Sequence, residues 1–125
     1  MISIFARQAI RGEPLTIFGD GEVVRDYIHV KDVASALCKL AMATLDKVDM
    51  PVFNIGTGRG ASINEVVSIL KAQIGRDISV QYVEAREFDV PVSVLNVDRA
   101  RDLLEWTAQI SLEVGIAELL KRMSA

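Results

Sequence analysis

The 125-residue chain is long enough for one domain with a modest core, since 50% of its residues are hydrophobic and 25% are charged. No apolar run approaches the roughly 18 residues that span a bilayer, and the net charge of -3 argues against nucleic acid or an anionic membrane as a partner. The only cysteine, Cys38, permits neither an internal disulfide nor a cysteine-based zinc cluster; we interpret it as a small buried residue and expect a reducing compartment, the cytoplasm.

The first predicted element is a helix that ends at Gly12 and buries one apolar face, formed by Ile2, Phe5 and Ala9. Two short strands follow, residues 15–18 and residues 25–30, joined near the turn Gly19-Asp20-Gly21. Because side chains alternate along a strand, the first strand presents Thr16 and Phe18 on the face away from Leu15 and Ile17.

The middle of the chain predicts two helices and a strand. Asp32 is the expected N-cap of a helix from Val33 to about Leu45, whose stripe would contain Val33, Leu37, Leu40 and Ala41. The run Val52 to Ile55 is predicted as a strand. Residues 62–65 have the sequence of a capping box, and the helix they open ends at Gly75 with the stripe Ile63, Val66, Val67, Leu70 and Ile74.

The last part of the chain predicts two strands, residues 78–83 and 94–97, and two helices. Asp98 is the expected cap of a short helix ending near Trp106, which we interpret as core. Ser111 is the expected cap of the last helix, whose buried face is formed by Leu112, Ile116, Leu119, Leu120 and Met123. No repeat or long linker divides the chain, so we predict one mixed α/β unit.

The predicted strand of residues 25–30 suggests a chemistry. Its alternation puts Arg25, Tyr27 and His29 on one face. A guanidinium offers phosphate oxygens a rigid fork of donors and a phenol adds a hydroxyl, so Arg25 and Tyr27 suit a diphosphate. From the residues alone, the alternative of a surface arginine paired with an acid is favoured. His29 has no evident catalytic partner, and we assign it to hydrogen bonding at the strand end.

The stretch from Gly19 to Ala34 resembles the NAD-dependent epimerase/dehydratase family, the extended short-chain dehydrogenases that remodel nucleotide sugars. The resemblance covers nearly the whole chain and concerns the carboxyl-terminal substrate domain of that family. It implies that Thr16 and Phe18 hold a pyrimidine base. It also implies that Arg25 contacts the diphosphate, with Tyr27 assisting.

A second motif, Arg86-Glu87-Phe88-Asp89, resembles the R-x-x-D element of the same family. The resemblance implies that Arg86 meets the diphosphate and that Asp89 meets hydroxyls of the ribose or of the sugar. The family usually has a Pro-Gly pair inside this element. This chain has Glu87-Phe88 there, which leaves the shape of the loop open.

The resemblance implies that residues 1–125 form one small mixed α/β domain, the carboxyl-terminal nucleotide-sugar-binding part of a larger enzyme without its Rossmann domain. In the parent reaction, NAD takes a hydride from a sugar carbon and returns it. We therefore expect this part to hold a nucleotide-diphosphate sugar, foremost a UDP-sugar, and whether it does so alone stays open. We expect the isolated chain to be inactive and assign it no catalytic, cofactor-binding or metal-binding residue. The alternative is a non-catalytic interaction module, or a subunit that completes a separate Rossmann half or associates with itself.

Two motifs resemble the catalytic pair and the dinucleotide-binding fingerprint that we do not assign to this chain. Tyr27 and Lys31 have the spacing of the family's catalytic tyrosine and lysine, but that chemistry needs both side chains on one helix face, and Tyr27 lies on a predicted strand. Residues 56–61 fit the G-x-G-x-x-G/A fingerprint of dinucleotide sites. The capping box delays the following helix, and Glu84 lies too far along to be the ribose acid. We interpret the first motif as accidental and the second as the Asn-Ile-Gly-x-Gly turn of the family, which residues 53–58 resemble.

Overall fold

The computed structural model describes residues 1–44 and 52–124. Leu45, the predicted end of the second helix, lies outside them. Within the described residues the elements are α1 (Ile2–Arg11), β1 (Leu15–Phe18), β2 (Val24–Asp26), α2 (Val30–Met42), β3 (Gly60–Ser62), α3 (Ile63–Ile74), β4 (Val80–Val83), β5 (Val92–Ser93), α4 (Asp98–Leu104) and α5 (Leu112–Met123). This mixed α/β arrangement confirms the predicted fold class.

The strands form two small sheets. In one sheet, β1 pairs in parallel with β4; in the other, β2 lies between antiparallel β3 and parallel β5. The strands on either side of the Gly19-Asp20-Gly21 turn therefore do not pair with each other. The amide of Gly19 still donates to the carbonyl of Val83 (2.9 Å), so β4 occupies the edge of β1 up to the turn. Positive φ angles at Gly19 (73°) and Gly21 (80°) then direct the chain into the second sheet.

The predicted strand of residues 25–30 is shorter than expected, because β2 ends at Asp26. Helix α2 begins at Val30, and its N-cap is His29, not Asp32. The Nδ1 atom of His29 accepts a hydrogen bond from the amide of Lys31 (3.2 Å). The hydrogen-bonding role predicted for His29 is thus confirmed, and it is the cap of the helix.

Asp32, the predicted cap, lies in the first turn of α2 and is buried. Its carboxylate accepts hydrogen bonds from the backbone amides of Gln109 (3.1 Å) and Ile110 (2.9 Å). Burial of a carboxylate is tolerated when hydrogen bonds satisfy it, and the first turn of a helix favours negative charge. Asp32 therefore ties the start of α2 to the segment that leads into α5.

The buried face of α2 differs from the prediction. Leu37 is 59% exposed, Ala41 is exposed, and Cys38, interpreted as a buried residue, is exposed as well. The reason is the small size of the second core, whose buried members are Ala36, Ala100, Leu104 and Trp106. Only one side of α2 packs there. Trp106 is 3% exposed and donates its indole N–H to Ser35 Oγ (2.8 Å), which confirms its predicted core role.

The main core lies between α1, α3, α5 and the first sheet; its buried residues are Phe5, Ala6, Ala9, Leu15, Ile17, Val66, Val67, Leu70, Ile78, Ile116 and Leu120. The predicted ends of these helices are confirmed. Gly12 and Gly75 cap α1 and α3 in the left-handed conformation, and Ser62 and Glu65 form the reciprocal capping box. Ser111 caps α5, although Met123 at its end is 37% exposed.

Three predictions for residues 52–98 are wrong. Residues 52–55 form no strand, and no described strand pairs with them. β5 occupies Val92–Ser93, not residues 94–97, because the amide of Leu95 turns to the carboxylate of Asp26 (3.4 Å). The N-cap of α4 is Val97, and the side chain of Asn96 accepts from the amide of Asp98 (2.9 Å). In the described part of the chain no helix is both long and apolar enough to cross a membrane.

Candidate nucleotide-sugar site

One cavity of about 530 Å³ collects all six residues that the sequence singles out for a ligand: Thr16, Phe18, Arg25, Tyr27, Arg86 and Asp89. They come from β1, from β2 and the residue following it, and from the loop between β4 and β5. The remaining wall includes residues of α1, among them Met1, Ile4 and Gln8. The sequence analysis did not assign this wall. The sequence indicated this wall only through the positions of α1 that lie outside its predicted buried face.

Strand β1 provides the first wall. Leu15 and Ile17 are buried in the main core, so alternation turns Thr16 and Phe18 toward the cavity. The ring of Phe18 is 39% exposed. An aromatic face and a hydroxyl two residues apart can hold a planar heterocycle, the ring by stacking and the hydroxyl by a hydrogen bond.

Arg25 joins two parts of the cavity. Its Nη1 donates to the carbonyls of Val24 (2.8 Å) and Val90 (2.6 Å), and the second bond ties β2 to the loop that carries Arg86 and Asp89. The guanidinium is a fixed positive charge with five N–H donors. The arginine therefore orders the loop and presents charge to the cavity.

Tyr27 follows β2 and still lines the cavity beside Arg25. Burial raises the pKa of Tyr27 above its ordinary value, and the positive charge of Arg25 opposes that rise. The phenol is therefore neutral at physiological pH and can donate a hydrogen bond. Its hydroxyl lies 3.9 Å from the sulfur of Met1. His29, predicted on the same face, does not line this cavity and instead packs toward α5.

The loop between β4 and β5 closes the cavity. The Cζ atom of Arg86 lies 3.8 Å from the centroid of the Phe18 ring, which is a cation–π contact. The amide of Asp89 donates to the carbonyl of Arg86 (3.2 Å), so the R-x-x-D element forms a turn. Phe88 inside this turn is 82% exposed and points away from the core.

The charges that line the cavity are two guanidinium groups, those of Arg25 and Arg86, and one carboxylate, that of Asp89. The lining is therefore net positive, although the whole chain carries a charge of -3. A cavity that combines an aromatic ring, two arginines and a hydroxyl suits a ligand with a flat ring and a diphosphate. Among the described residues, no cluster of histidine, cysteine, aspartate or glutamate could hold a metal ion.

In the glycine-rich residues 56–61, backbone amides bind a carboxylate of the same chain. The amides of Thr57 and Gly58 donate to the carboxylate of Asp26, at 2.9 and 3.0 Å, and a Cβ on Gly56 would lie 2.7 Å from the same carboxylate. The chain then enters β3 before α3 begins. In a dinucleotide site these amides and the helix N-terminus would face the pyrophosphate. The residues present here do not fit that role.

Tyr27 and Lys31 do not form the catalytic pair that their spacing suggests. Tyr27 precedes α2, whereas Lys31 lies within it, so the two do not share a helix face. The Nζ atom of Lys31 donates to the Glu118 carboxylate (2.8 and 3.0 Å). That ion pair links α2 to α5.

Comparison with known proteins identifies relatives of this chain. Residues 1–56 match the model of the "NAD dependent epimerase/dehydratase family". The putative UDP-glucose 4-epimerase of Methanocaldococcus jannaschii is 36% identical over 123 residues, which are 98% of this chain and 38% of that protein.

Two solved structures are similar as well. The UDP-glucose 4-epimerase of Thermotoga maritima, solved with UDP-glucose, matches with a TM-score of 0.88 and 41% identity, over 98% of this chain and 38% of that one. MoeE5, solved with UDP-glucuronic acid and NAD, matches with a TM-score of 0.87 and 39% identity, over 99% of this chain and 42% of that one.

The chain spans about a third of the length of the curated relatives that it matches, with shares of 34%, 28% and 33% for three of them. Within that span the agreement covers almost all of the chain's own residues, from α1 to α5. The fold, the family model and the relatives agree. The chain belongs to the NAD-dependent epimerase/dehydratase family.

Proposed function

We propose that this chain is the nucleotide-sugar-binding domain of an NAD-dependent nucleotide-sugar epimerase or dehydratase. The observation that carries the proposal is the convergence of six residues from three separate segments on one cavity: Thr16, Phe18, Arg25, Tyr27, Arg86 and Asp89. UDP-glucose and UDP-glucuronic acid are the ligands in the two similar structures. A UDP-sugar is therefore the ligand that we assign to this cavity.

Each part of such a ligand has a matching part of the cavity. Phe18 stacks on the base and the hydroxyl of Thr16 bonds its edge. The diphosphate lies between Arg25 and Arg86, whose guanidinium groups offer paired donors to its oxygens. The neutral phenol of Tyr27 donates to the same oxygens. Asp89, as an acceptor, takes hydroxyls of the ribose or of the sugar.

We assign NAD to the parent enzyme and not to the residues described here. Structures similar to this chain contain NAD, as in the MoeE5 complex. Among the described residues, the glycine-rich candidate is residues 56–61, and the amides of Thr57 and Gly58 there donate to the carboxylate of Asp26. When bound in the parent, NAD supplies the hydride chemistry, and this chain holds the substrate by its nucleotide.

The binding part of the proposal is tested by calorimetric titration of the purified chain with UDP, GDP, dTDP and NAD. We expect UDP to bind most tightly. The changes Arg25→Ala and Arg86→Ala should each weaken UDP binding about tenfold or more, because each removes a charge-assisted pair worth about 1.5–3 kcal/mol.

Arg11→Ala is the matched control, because it removes the same charge from an exposed position outside the cavity. It should leave the Kd for UDP unchanged. Binding of NAD but not of UDP, or equal losses in all three variants, would contradict the assignment of the cavity.

We further propose that the 125-residue chain does not catalyse epimerisation by itself. In the described residues, Tyr27 and Lys31 do not share a helix face and the glycine-rich loop does not fit a dinucleotide. The test is incubation of the purified chain with UDP-glucose and NAD, followed by chromatography for UDP-galactose. Product formed in proportion to the chain's concentration would refute this part of the proposal.

A second candidate function is a module that associates with a separate Rossmann half or with itself. Helix α2 has exposed apolar side chains at Val30 (73%), Leu37 (59%) and Met42 (78%), of which Val30 and Leu37, two turns apart, share one side. Exposed apolar patches of this kind favour association. Sedimentation over a wide concentration range tests self-association, and a strict monomer throughout would exclude it.

We propose a cytoplasmic location for the protein. Its single cysteine, Cys38, is exposed on α2. An exposed unpaired thiol is kept reduced in a reducing compartment. Subcellular fractionation of the producing cells, with the chain found outside the cytoplasmic fraction, would overturn this assignment.

A further inference from the structure

The proposed nucleotide site is divided between the two sheets. Thr16 and Phe18, assigned to the base, lie on β1, whereas Arg25, assigned to the diphosphate, lies on β2. In the described structure no ladder hydrogen bonds join β1 to β2. The distance between the base contacts and the diphosphate contact therefore depends on the connection of residues 19–23 and on what holds it.

The side chain of Asn64 holds this connection. Its Nδ2 donates to the carbonyl of Asp20 (2.9 Å) and to Oε1 of Glu22 (2.6 Å). Its backbone amide donates to the carbonyl of Gly21 (3.1 Å). Three consecutive residues of the connection are thus bound to a single residue of α3.

Asn64 also reaches the other sheet. Its Oδ1 accepts a hydrogen bond from the hydroxyl of Tyr82 (3.0 Å), and Tyr82 lies on β4 opposite Ile17 of β1. On the other side, Asn64 comes two residues after Ser62, which pairs with Val24 of β2. Asn64 therefore connects the two sheets, through its side chain to β4 and through the backbone that follows Ser62 to the sheet of the diphosphate contact.

The connection is shaped to receive this side chain. Gly21 is buried with a φ of 80°, and a Cβ at this position would clash with Oδ1 of Asn64. Any larger residue would push the asparagine away from the turn. The close approach requires glycine, for its conformation and for its missing side chain.

We propose that Asn64 is a positioning residue that fixes the base half of the nucleotide site relative to its diphosphate half. This inference rests on the proposed function. Asn64 does not line the cavity, so it acts through the connection and not by touching the ligand. A ligand that uses both halves gains from their fixed distance, whereas a ligand that uses one half does not.

Three ligands separate these effects in nuclear magnetic resonance titrations of the chain and of Asn64→Ala. Uridine reports on the base half, pyrophosphate on the diphosphate half, and UDP on both halves together. We expect Asn64→Ala to raise the Kd for UDP at least about fivefold, the lower end of typical coupling between sites. The Kd values for uridine and for pyrophosphate should stay the same.

Tyr82→Phe removes only the contact of Asn64 with β4, and it should change UDP binding in the same direction by a smaller factor. Asn54→Ala is the matched control. The side chain of Asn54 also donates to a backbone carbonyl, that of Asn96 (3.1 Å), but Asn54 lies away from the cavity. This control should bind all three ligands as the parent chain does.

Equal weakening of all three ligands by Asn64→Ala would mean that the residue only stabilises the fold, and unchanged binding of all three would also overturn the inference. A measurement without ligand distinguishes a failure of the positioning role of Asn64 from a failure of the proposed function. Relaxation dispersion of the backbone amides of residues 19–25 should show new exchange in Asn64→Ala and none in Asn54→Ala. If the chain binds no UDP, the proposed function fails; if the amides keep the parent behaviour, the positioning role fails.

Discussion

At the scale of single residues, two aspartate carboxylates each bind backbone amides of a distant segment. Asp26 gathers the amides of the glycine-rich residues, and Asp32 gathers the amides before α5. The sequence shows these acids but not their partners, which lie 31 to 78 positions away. The prediction of Asp32 as a cap was wrong because the His29 ring, one turn earlier, accepts the amide of Lys31.

Tyr27 gives a prediction at this scale. Because the fold raises the pKa of Tyr27, the protonated phenol contributes stability below the ordinary pKa of 10.0, and that contribution is lost as the pH rises through the folded-state pKa. The chain has two tyrosines, so Tyr82→Phe leaves Tyr27 as the only one to titrate. The midpoint of its phenolate absorbance change should lie above pH 10.0.

Arg25→Ala in the same background should raise the pKa of Tyr27 further, since the positive charge that opposes the rise is removed. Arg11→Ala, an exposed change away from Tyr27, is the control and should leave the titration unchanged. A titration at or below the ordinary value would show that Tyr27 is not buried as the structure has it.

At the scale of elements, local signals predicted helix ends well and strand pairing poorly. Gly12, Gly75, Ser62 and Ser111 end or begin helices as their types predict, because a cap depends on bonds within one turn. Pairing depends on distant partners, so the separation of β1 from β2 could not be deduced from the turn between them. The same reason explains why residues 52–55, apolar and β-prone, form no strand.

The two serine caps provide a matched prediction. Ser62 Oγ accepts from the amide of Glu65 (3.1 Å) within a reciprocal capping box, whereas Ser111 Oγ accepts from Val114 (3.3 Å) without one. Ser62→Ala should lower the free energy of unfolding by about 1 kcal/mol, and Ser111→Ala should lower it by less. Urea denaturation of both variants measures the difference, and a larger loss for Ser111→Ala would contradict the account of the caps.

At the scale of the whole molecule, the six residues that we assign to a ligand were predicted from motifs far apart in the sequence, from Thr16 to Asp89. Alternation on β1 predicted the outward face of Thr16 and Phe18, which the structure confirms. The contact of Arg86 with Phe18 could not be predicted, since it depends on the parallel pairing of β1 with β4 that brings the loop over the ring. The wall from α1 was missed because the sequence analysis considered only the buried face of that helix.

Mapping the amide chemical shifts of the chain during titration with UDP tests whether this cavity is the site of a UDP-sugar. We expect saturable shifts at residues 16–19, 25–27 and 86–89. We expect none at residues 56–58, where the amides of Thr57 and Gly58 are bound to Asp26. Shifts centred on residues 56–58, with residues 16–19 and 86–89 unaffected, would contradict this assignment of the cavity.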